Sequence, residues 1–248
     1  MKKVVGIILA AGKGTRLNDG LPSDVPKVLH LLGDKPLIFY CIKALREAGI
    51  EDIIVVVGYK GYLVKEAAGG DVKYVVQEKQ LGTADAVYAA HDLVSDKADR
   101  VVVLNGDNPL FSKETIADLI RQCVDRNATI SLVTIDADDP KGYGRIIKDK
   151  EGHVLKIVED KEAEPKEKAI KEINAGCYCF ENDWLWKNIK KVKLNSQGEY
   201  YLTDLIGIAV GEGEKVVALK ILNYREAIGI NTPEQLEEAR RALPYLKL

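Results

Sequence analysis

Side chains that do chemistry on their own are scarce in this sequence: it holds three histidines (His30, His91, His153) and four cysteines (Cys41, Cys123, Cys177, Cys179) among 248 residues. The cysteines are too few and too scattered for a disulfide framework. No histidine lies near another or near a C-x-x-C pair, which argues against a zinc site. Cys177-Tyr178-Cys179 sits in an apolar run, where a strand sets both sulfurs on one face and they read as small buried hydrophobes. A charge surplus is also missing. Lys plus Arg is 36 against 38 Asp plus Glu, a net charge of −2, so there is no general electrostatic footprint for nucleic acid or an anionic membrane. No run approaches the ~20 apolar residues of a membrane span. The apolar start from Val4 meets glycine and charge at once, unlike a signal peptide. There is no internal repeat and no low-complexity tail. A soluble, cytoplasmic protein is expected, with no nucleic-acid or membrane partner.

What is present is ample core material: hydrophobic residues make up 46% of the chain. Short apolar, β-branched runs at 4–9, 53–57, 72–76, 101–104 and 130–135 read as strands. Several lack polar alternation, as buried parallel strands do. Helical patterns lie between them at 37–48 (ending at Gly49, a C′ glycine), 83–93 and 113–127, the last capped by Ser112. This alternation predicts an α/β fold with a doubly wound, mostly parallel Rossmann-like sheet. After about residue 140 the pattern changes. Segments 144–148 and 153–158 flank a polar turn and predict an antiparallel hairpin, a small β appendage. The mixed-charge run 159–172 reads as an exposed loop or solvated helix rather than a lid. Residues 173–180 read as a strand, 203–210 as a helix and 216–222 as extended, with Trp184 and Trp186 anchoring the appendage. Thr232, Pro233 and Gln235 form a strong start signal for a final helix.

Two segments carry chemical information. The first is the exit of the opening strand, Leu9-Ala10-Ala11-Gly12-Lys13-Gly14-Thr15-Arg16. Small residues and glycines there let backbone N–H groups approach an anion. The spacing fits neither a Walker A loop, because Gly6 stands one residue too far, nor a dinucleotide fingerprint, because Leu17 stands where a third glycine belongs. With Lys13, Arg16 and Lys27 nearby, the loop is either a structural turn among solvated lysines or a polyphosphate pocket. The second segment is Leu104-Asn105-Gly106-Asp107-Asn108-Pro109-Leu110. Asp107 directly follows a strand, where open α/β sheets bind ligands and where one carboxylate can hold magnesium beside phosphates. The same residues also make an ordinary turn.

These segments, with Pro26-Lys27-Val28-Leu29-His30, resemble the signature of the sugar-1-phosphate nucleotidylyltransferase family. The resemblance is narrowest to the uridylyltransferase domain of bacterial N-acetylglucosamine-1-phosphate enzymes. It runs in family order through Gln80-Leu81-Gly82-Thr83-Ala84, Gly142-Tyr143-Gly144-Arg145-Ile146, Glu172-Ile173-Asn174-Ala175-Gly176, Gln197-Gly198-Glu199-Tyr200-Tyr201-Leu202-Thr203-Asp204 and Gly229-Ile230-Asn231. The resemblance implies magnesium-dependent transfer of UMP from UTP to N-acetylglucosamine 1-phosphate, with pyrophosphate as co-product. Alternatives are another sugar 1-phosphate or dTTP, or an inactive subunit that senses sugar nucleotide. It also implies roles. Leu9, Ala10, Ala11, Gly12 and Gly14, with Gln77, Gly82 and Thr83, would hold the nucleotide. Arg16 and Lys27 would be the catalytic cations on the triphosphate, and Asp107 and Asn231 the magnesium ligands. Asn105, Gly144, Glu159, Asn174, Tyr201 and Thr203 would surround the sugar. Two departures stand out: Asn105 replaces the family's usual tyrosine, and the stretch from Arg16 to Lys27 is a few residues longer than usual. The expected organisation is a nucleotide-binding core at 1–140, a sugar-binding part at 141–231 and a C-terminal helix at 232–248. The hexapeptide-repeat acetyltransferase domain of bifunctional relatives is not expected.

Overall fold

The computed structural model describes residues 2–18 and 25–246, without the side chains of Arg16 and Asn18. The first half alternates as the sequence predicts: β1 (Val4–Ala10), a one-turn α1 (Thr15–Asn18), a two-stranded clip of β2 (Leu31–Leu32) and β3 (Lys35–Pro36), and α2 (Leu37–Glu47). Then come β4 (Asp52–Val57), α3 (Gly61–Ala68), β5 (Lys73–Val76), α4 (Thr83–Tyr88), α5 (His91–Val94), β6 (Arg100–Asn105), α6 (Lys113–Asp125) and β7 (Ile130–Asp136). The second half holds β8 (Arg145–Lys148), β9 (Val154–Val158), a one-turn α7 (Pro165–Lys168), β10 (Glu172–Glu181) and α8 (Asn182–Asn188). It closes with α9 (Asp204–Gly211), β11 (Val216–Lys220) and α10 (Pro233–Ala242).

The main sheet runs β11-β7-β10-β6-β1-β4-β5. All pairs are parallel except those of β10, which is antiparallel to β6 and β7. The strands lack polar alternation because both faces are covered. In β4, Ile53, Val55 and Val57 pack beneath α2, α3 and α6, while Ile54 and Val56 pack with residues of α4, α8 and α9. Cys177 and Cys179 share the first face and Tyr178 and Phe180 the second, so the C-x-C sulfurs do lie side by side in the core. A third apolar cluster holds Leu17, Leu32, Leu37 and Leu110 against Ile230, Leu236 and Ala239, docking α10 behind the opening loop.

One expectation needs correction. The helix predicted over 83–93 is two pieces, with a break at Ala89–Ala90 that turns the chain before β6. The expected small antiparallel appendage is the β8–β9 hairpin, and Arg145, paired with Ile173 of β10, joins it to the main sheet. Trp184 and Trp186 share an apolar cluster with Ile146, Val154 and Ile157 of that hairpin. Trp184 Nε1 donates to Glu212 at 3.1 Å and Trp186 Nε1 to Asn182 at 2.8 Å, while the Trp186 ring meets His91 edge-on. They fasten α8 to its neighbours. Other local signals hold. Gly49 follows α2 with φ +88°, Ser112 Oγ accepts from Thr115 N, and Thr232 with Gln235 closes a capping box on α10.

Candidate functional site

A cleft of about 640 Å³ opens beyond the carboxyl ends of the parallel strands, where open α/β sheets bind ligands. Nine residues picked from sequence line it: Thr83, Asn105, Asp107, Gly144, Glu159, Asn174, Tyr201, Thr203 and Asn231. Asp107 stands just past the end of β6. Its loop is tied by backbone bonds, Gly106 N to Leu9 O at 2.9 Å and Ile230 N to Asp107 O at 2.8 Å. The second bond brings Asn231 alongside.

Lys27 joins this corner from below. Its ammonium donates to the Asp107 carboxylate and to Asn231 Oδ1, the latter at 2.8 Å. Gly14 explains the close approach, since with φ +68° a Cβ there would lie 2.5 Å from Lys27 Cβ. The side chain of Arg16 and the longer stretch at 19–24 fall outside the described residues. A Cβ at Gly12 would meet nothing within 4 Å, so the loop Leu9–Gly14 borders open space there. Among the described residues no group of three acidic, histidine or cysteine side chains is gathered for a metal. Asp107 and Asn231 nevertheless converge two oxygen donors on one cationic group. That donor set suits magnesium when phosphates and water complete the shell.

The expected nucleotide-binding segment around Gly82 is stitched to the expected sugar-binding one. Tyr200 N donates to Leu81 O at 2.7 Å, Ala84 N to Tyr200 O at 2.9 Å, and Leu202 N to Thr83 Oγ1 at 2.9 Å. Gln77 donates to Gly82 O at 3.0 Å and to Asp85 at 2.7 Å, so its amide is spent on shaping this turn. Gln77 and Gly82 do not line this cleft.

On the opposite wall β10 carries a bulge between Asn174 and Tyr178. Bulges bend a strand and re-aim its side chains. Here Gly176 takes φ +79°, and a Cβ on it would strike Asn105 Nδ2 at 2.6 Å. Asn174 Oδ1 accepts from Gly176 N at 3.2 Å, and its Nδ2 donates to Tyr178 Oη at 2.6 Å. Tyr178 and Tyr143 line the cleft and were missed from sequence. For Tyr178 the signal was available, because it lies four residues from Asn174 on the same strand face. Lys141, Asp160, Lys161 and Glu199 were missed too, and nothing in their local sequence sets them apart from other surface charges.

Burial pushes the Glu159 carboxyl above its ordinary range. The Thr203 hydroxyl, donating at 2.9 Å, opposes this, and the carboxylates of Asp204, Glu162 and Asp160 add to it. Burial likewise pushes Tyr201 up to about 12, with Glu199 adding to the shift. A raised acid contributes stability below its unfolded-state value and loses it as pH rises through the folded-state one. At neutral pH Glu159 is therefore a cost to the fold. Glu159→Gln should melt at a higher temperature than the unaltered protein at pH 7, and level with it below about pH 4. Equal melting at pH 7 would refute this.

A family model described as nucleotidyl transferase matches residues 5–241. Curated relatives include the bifunctional protein GlmU of Brevibacillus brevis, 42% identical over 240 residues, which are 96% of this chain and 51% of the relative. The GlmU of Pelotomaculum thermopropionicum is 44% identical over 241 residues, 97% of this chain and 52% of the relative. The chain thus spans about half the length of the curated relatives it matches. Among solved structures, a Bacillus anthracis protein named for glucose-1-phosphate thymidylyltransferase activity and crystallised with sucrose superposes with TM-score 0.80. It is 24% identical, with 99% of this chain and 97% of that one covered, and it speaks for the fold.

Proposed function

Because the chain belongs to the nucleotidyl transferase family, we propose that it transfers UMP from UTP to N-acetylglucosamine 1-phosphate, giving UDP-N-acetylglucosamine and pyrophosphate. The observation that carries this reading is the cleft itself. One end gathers Lys27, Asp107 and Asn231 beside the glycine loop, and the other gathers Gly144, Glu159, Asn174 and Thr203. A polyanion fits the first end and a hydroxyl-rich ring the second.

In the reaction an oxygen of the sugar phosphate bonds to the α-phosphorus in line. The bond from that phosphorus to the bridging oxygen breaks, and pyrophosphate leaves with the electron pair. A phosphate monoester is already an anionic nucleophile, so no general base is required, in keeping with the scarcity of histidine and cysteine around the cleft. Magnesium held by Asp107 and Asn231 would supply positive charge against the phosphates. Lys27 adds a fixed cation there, and Arg16, two residues past Gly14 in the one-turn α1, is the second proposed cation. Leu9–Gly14 offers backbone N–H groups, while Asn174, Glu159 and Thr203 orient the sugar. Catalysis rests on positioning and charge neutralisation.

An acetamido group brings one N–H and one carbonyl to the wall that carries Asn174 and Tyr178, where glucose brings a hydroxyl. A pocket built for the amide leaves polar groups unpaired when glucose binds. N-acetylglucosamine 1-phosphate should therefore be preferred over glucose 1-phosphate by roughly 10²-fold in kcat/KM. A panel of sugar 1-phosphates with UTP and dTTP, followed by pyrophosphate release, tests this. A preference for glucose 1-phosphate or dTTP would keep the reaction class and overturn the substrates; no turnover with any pair would overturn the enzymatic reading.

A further inference from the structure

Arg145 is the bulkiest of the fully buried side chains. It opens β8 one residue after Gly144, and it pairs across the hairpin with Val158, the residue before Glu159. Its Nη1 donates to the Tyr143 carbonyl, and its Nη2 donates to Asp160 Oδ1 at 2.8 Å. One planar group thus grips the residue before Gly144 and the residue after Glu159. Between these grips the Glu159 carboxylate lies 3.3 Å from where a Cβ on Gly144 would stand. The Gly144 carbonyl is held from the other side, by Asn174 N at 2.9 Å.

The arrangement is poorly chosen for stability alone. Buried ion pairs are often replaceable by apolar side chains of similar volume without loss. Here the guanidinium also leaves Nε buried without an acceptor among the described residues. What the group does provide is fixed geometry, because a planar fork holds two acceptors in a set relation that a flexible ammonium cannot. Asp160, a quarter exposed at the cleft wall, is the outer half of that fork.

We propose that Arg145, with Asp160, is a positioning residue for the sugar 1-phosphate: it locks the Glu159 carboxylate against the Gly144 backbone so that both meet the sugar in one fixed geometry. This rests on the reading that the cleft holds a sugar 1-phosphate. Arg145 does not touch the substrate; it acts through Gly144 and Glu159.

The test uses Asp160→Asn, Arg145→Lys and the double variant, each with a melting curve and separate KM values for UTP and for the sugar 1-phosphate that the unaltered enzyme turns over fastest. Asp160→Asn keeps the side-chain shape at a partly exposed position, so it preserves the fold even if Arg145→Lys does not. Either single change should raise KM for the sugar 1-phosphate by about tenfold or more, since small misplacements of positioning groups are costly. KM for UTP should stay within about twofold. The double variant should be little worse than the worse single one, because both break the same fork. An unchanged sugar KM in Asp160→Asn, equal rises for both substrates, or additive effects would overturn the proposal while leaving the proposed reaction standing. An unaltered enzyme that turns over no sugar 1-phosphate would overturn both.

Discussion

Asp107→Ala is expected to lower turnover by at least about 10²–10³-fold, the loss that follows removal of a principal electrostatic stabiliser. The folded protein should survive, because the loop is held by main chain rather than by this carboxylate. Gly106 N bonds to Leu9 O, Asn108 N to Asn105 O, and Ile230 N to Asp107 O, all without the side chain. What disappears is one of the two acceptors that face Lys27 and, in the proposed reaction, one of two protein oxygens offered to magnesium. Initial rates at saturating substrates across a magnesium titration, with a melting curve for each sample, provide the check. Near-normal, magnesium-dependent turnover in the variant would remove Asp107 from the metal site. A collapse in melting temperature would mean the loop needs the carboxylate after all.

The second large effect is structural and lies at Gly82. This residue precedes α4 with φ 104° and ψ −178°, a region essentially confined to glycine. A Cβ there would also fall 2.5 Å from Tyr200 O and 2.8 Å from Tyr200 N. Both are backbone atoms, fixed by the bonds that stitch residues 81–84 to residues 200–202, so neither can swing aside. Backbone strain and overpacking together should cost at least about 3 kcal/mol, or roughly 6–12 °C in Tm for a domain of this size. Gly69 separates the two causes. It adopts nearly the same conformation, φ 79° and ψ −171°, but a Cβ on it meets nothing within 4 Å. Gly69→Ala should therefore melt several degrees above Gly82→Ala, and equal melting temperatures would show that the contact with Tyr200 does not matter.

Much of this molecule was legible without coordinates, and the reason is local. A strand sandwiched between helices must be apolar on both faces, so β4 and β6 stand out as nearly continuous β-branched runs, and β1 and β7 as runs rich in such residues. Helix ends carry their own chemistry: Ser112, Gly49 and the Thr232-Pro233-Gln235 box each act on groups within a few residues. The candidate site residues were legible differently, through motifs that a resemblance arranges in order. Composition alone left Asp107 as much a turn residue as a ligand, and Glu159 as one more charge in a charged run. Where local reading failed, the deciding partner was remote. The helix over 83–93 has helical spacing throughout, and nothing in its own residues marks the break before His91. The place where the hairpin joins the sheet is likewise set by a remote pair, Arg145 with Ile173.

Local chemistry along the chain fixes the alternation of strands and helices, the caps that bound several of them, and which residue types stand at the strand ends. What those residues face is set by the fold. Lys27 reaches Asn231 across 204 positions, Thr83 reaches Leu202 across 119, and Lys27 reaches Asp107 across 80. Such pairings come from the crossing of the sheet and the docking of α10, because periodicity records how deeply a side chain is buried and carries no record of which distant side chain will lie against it.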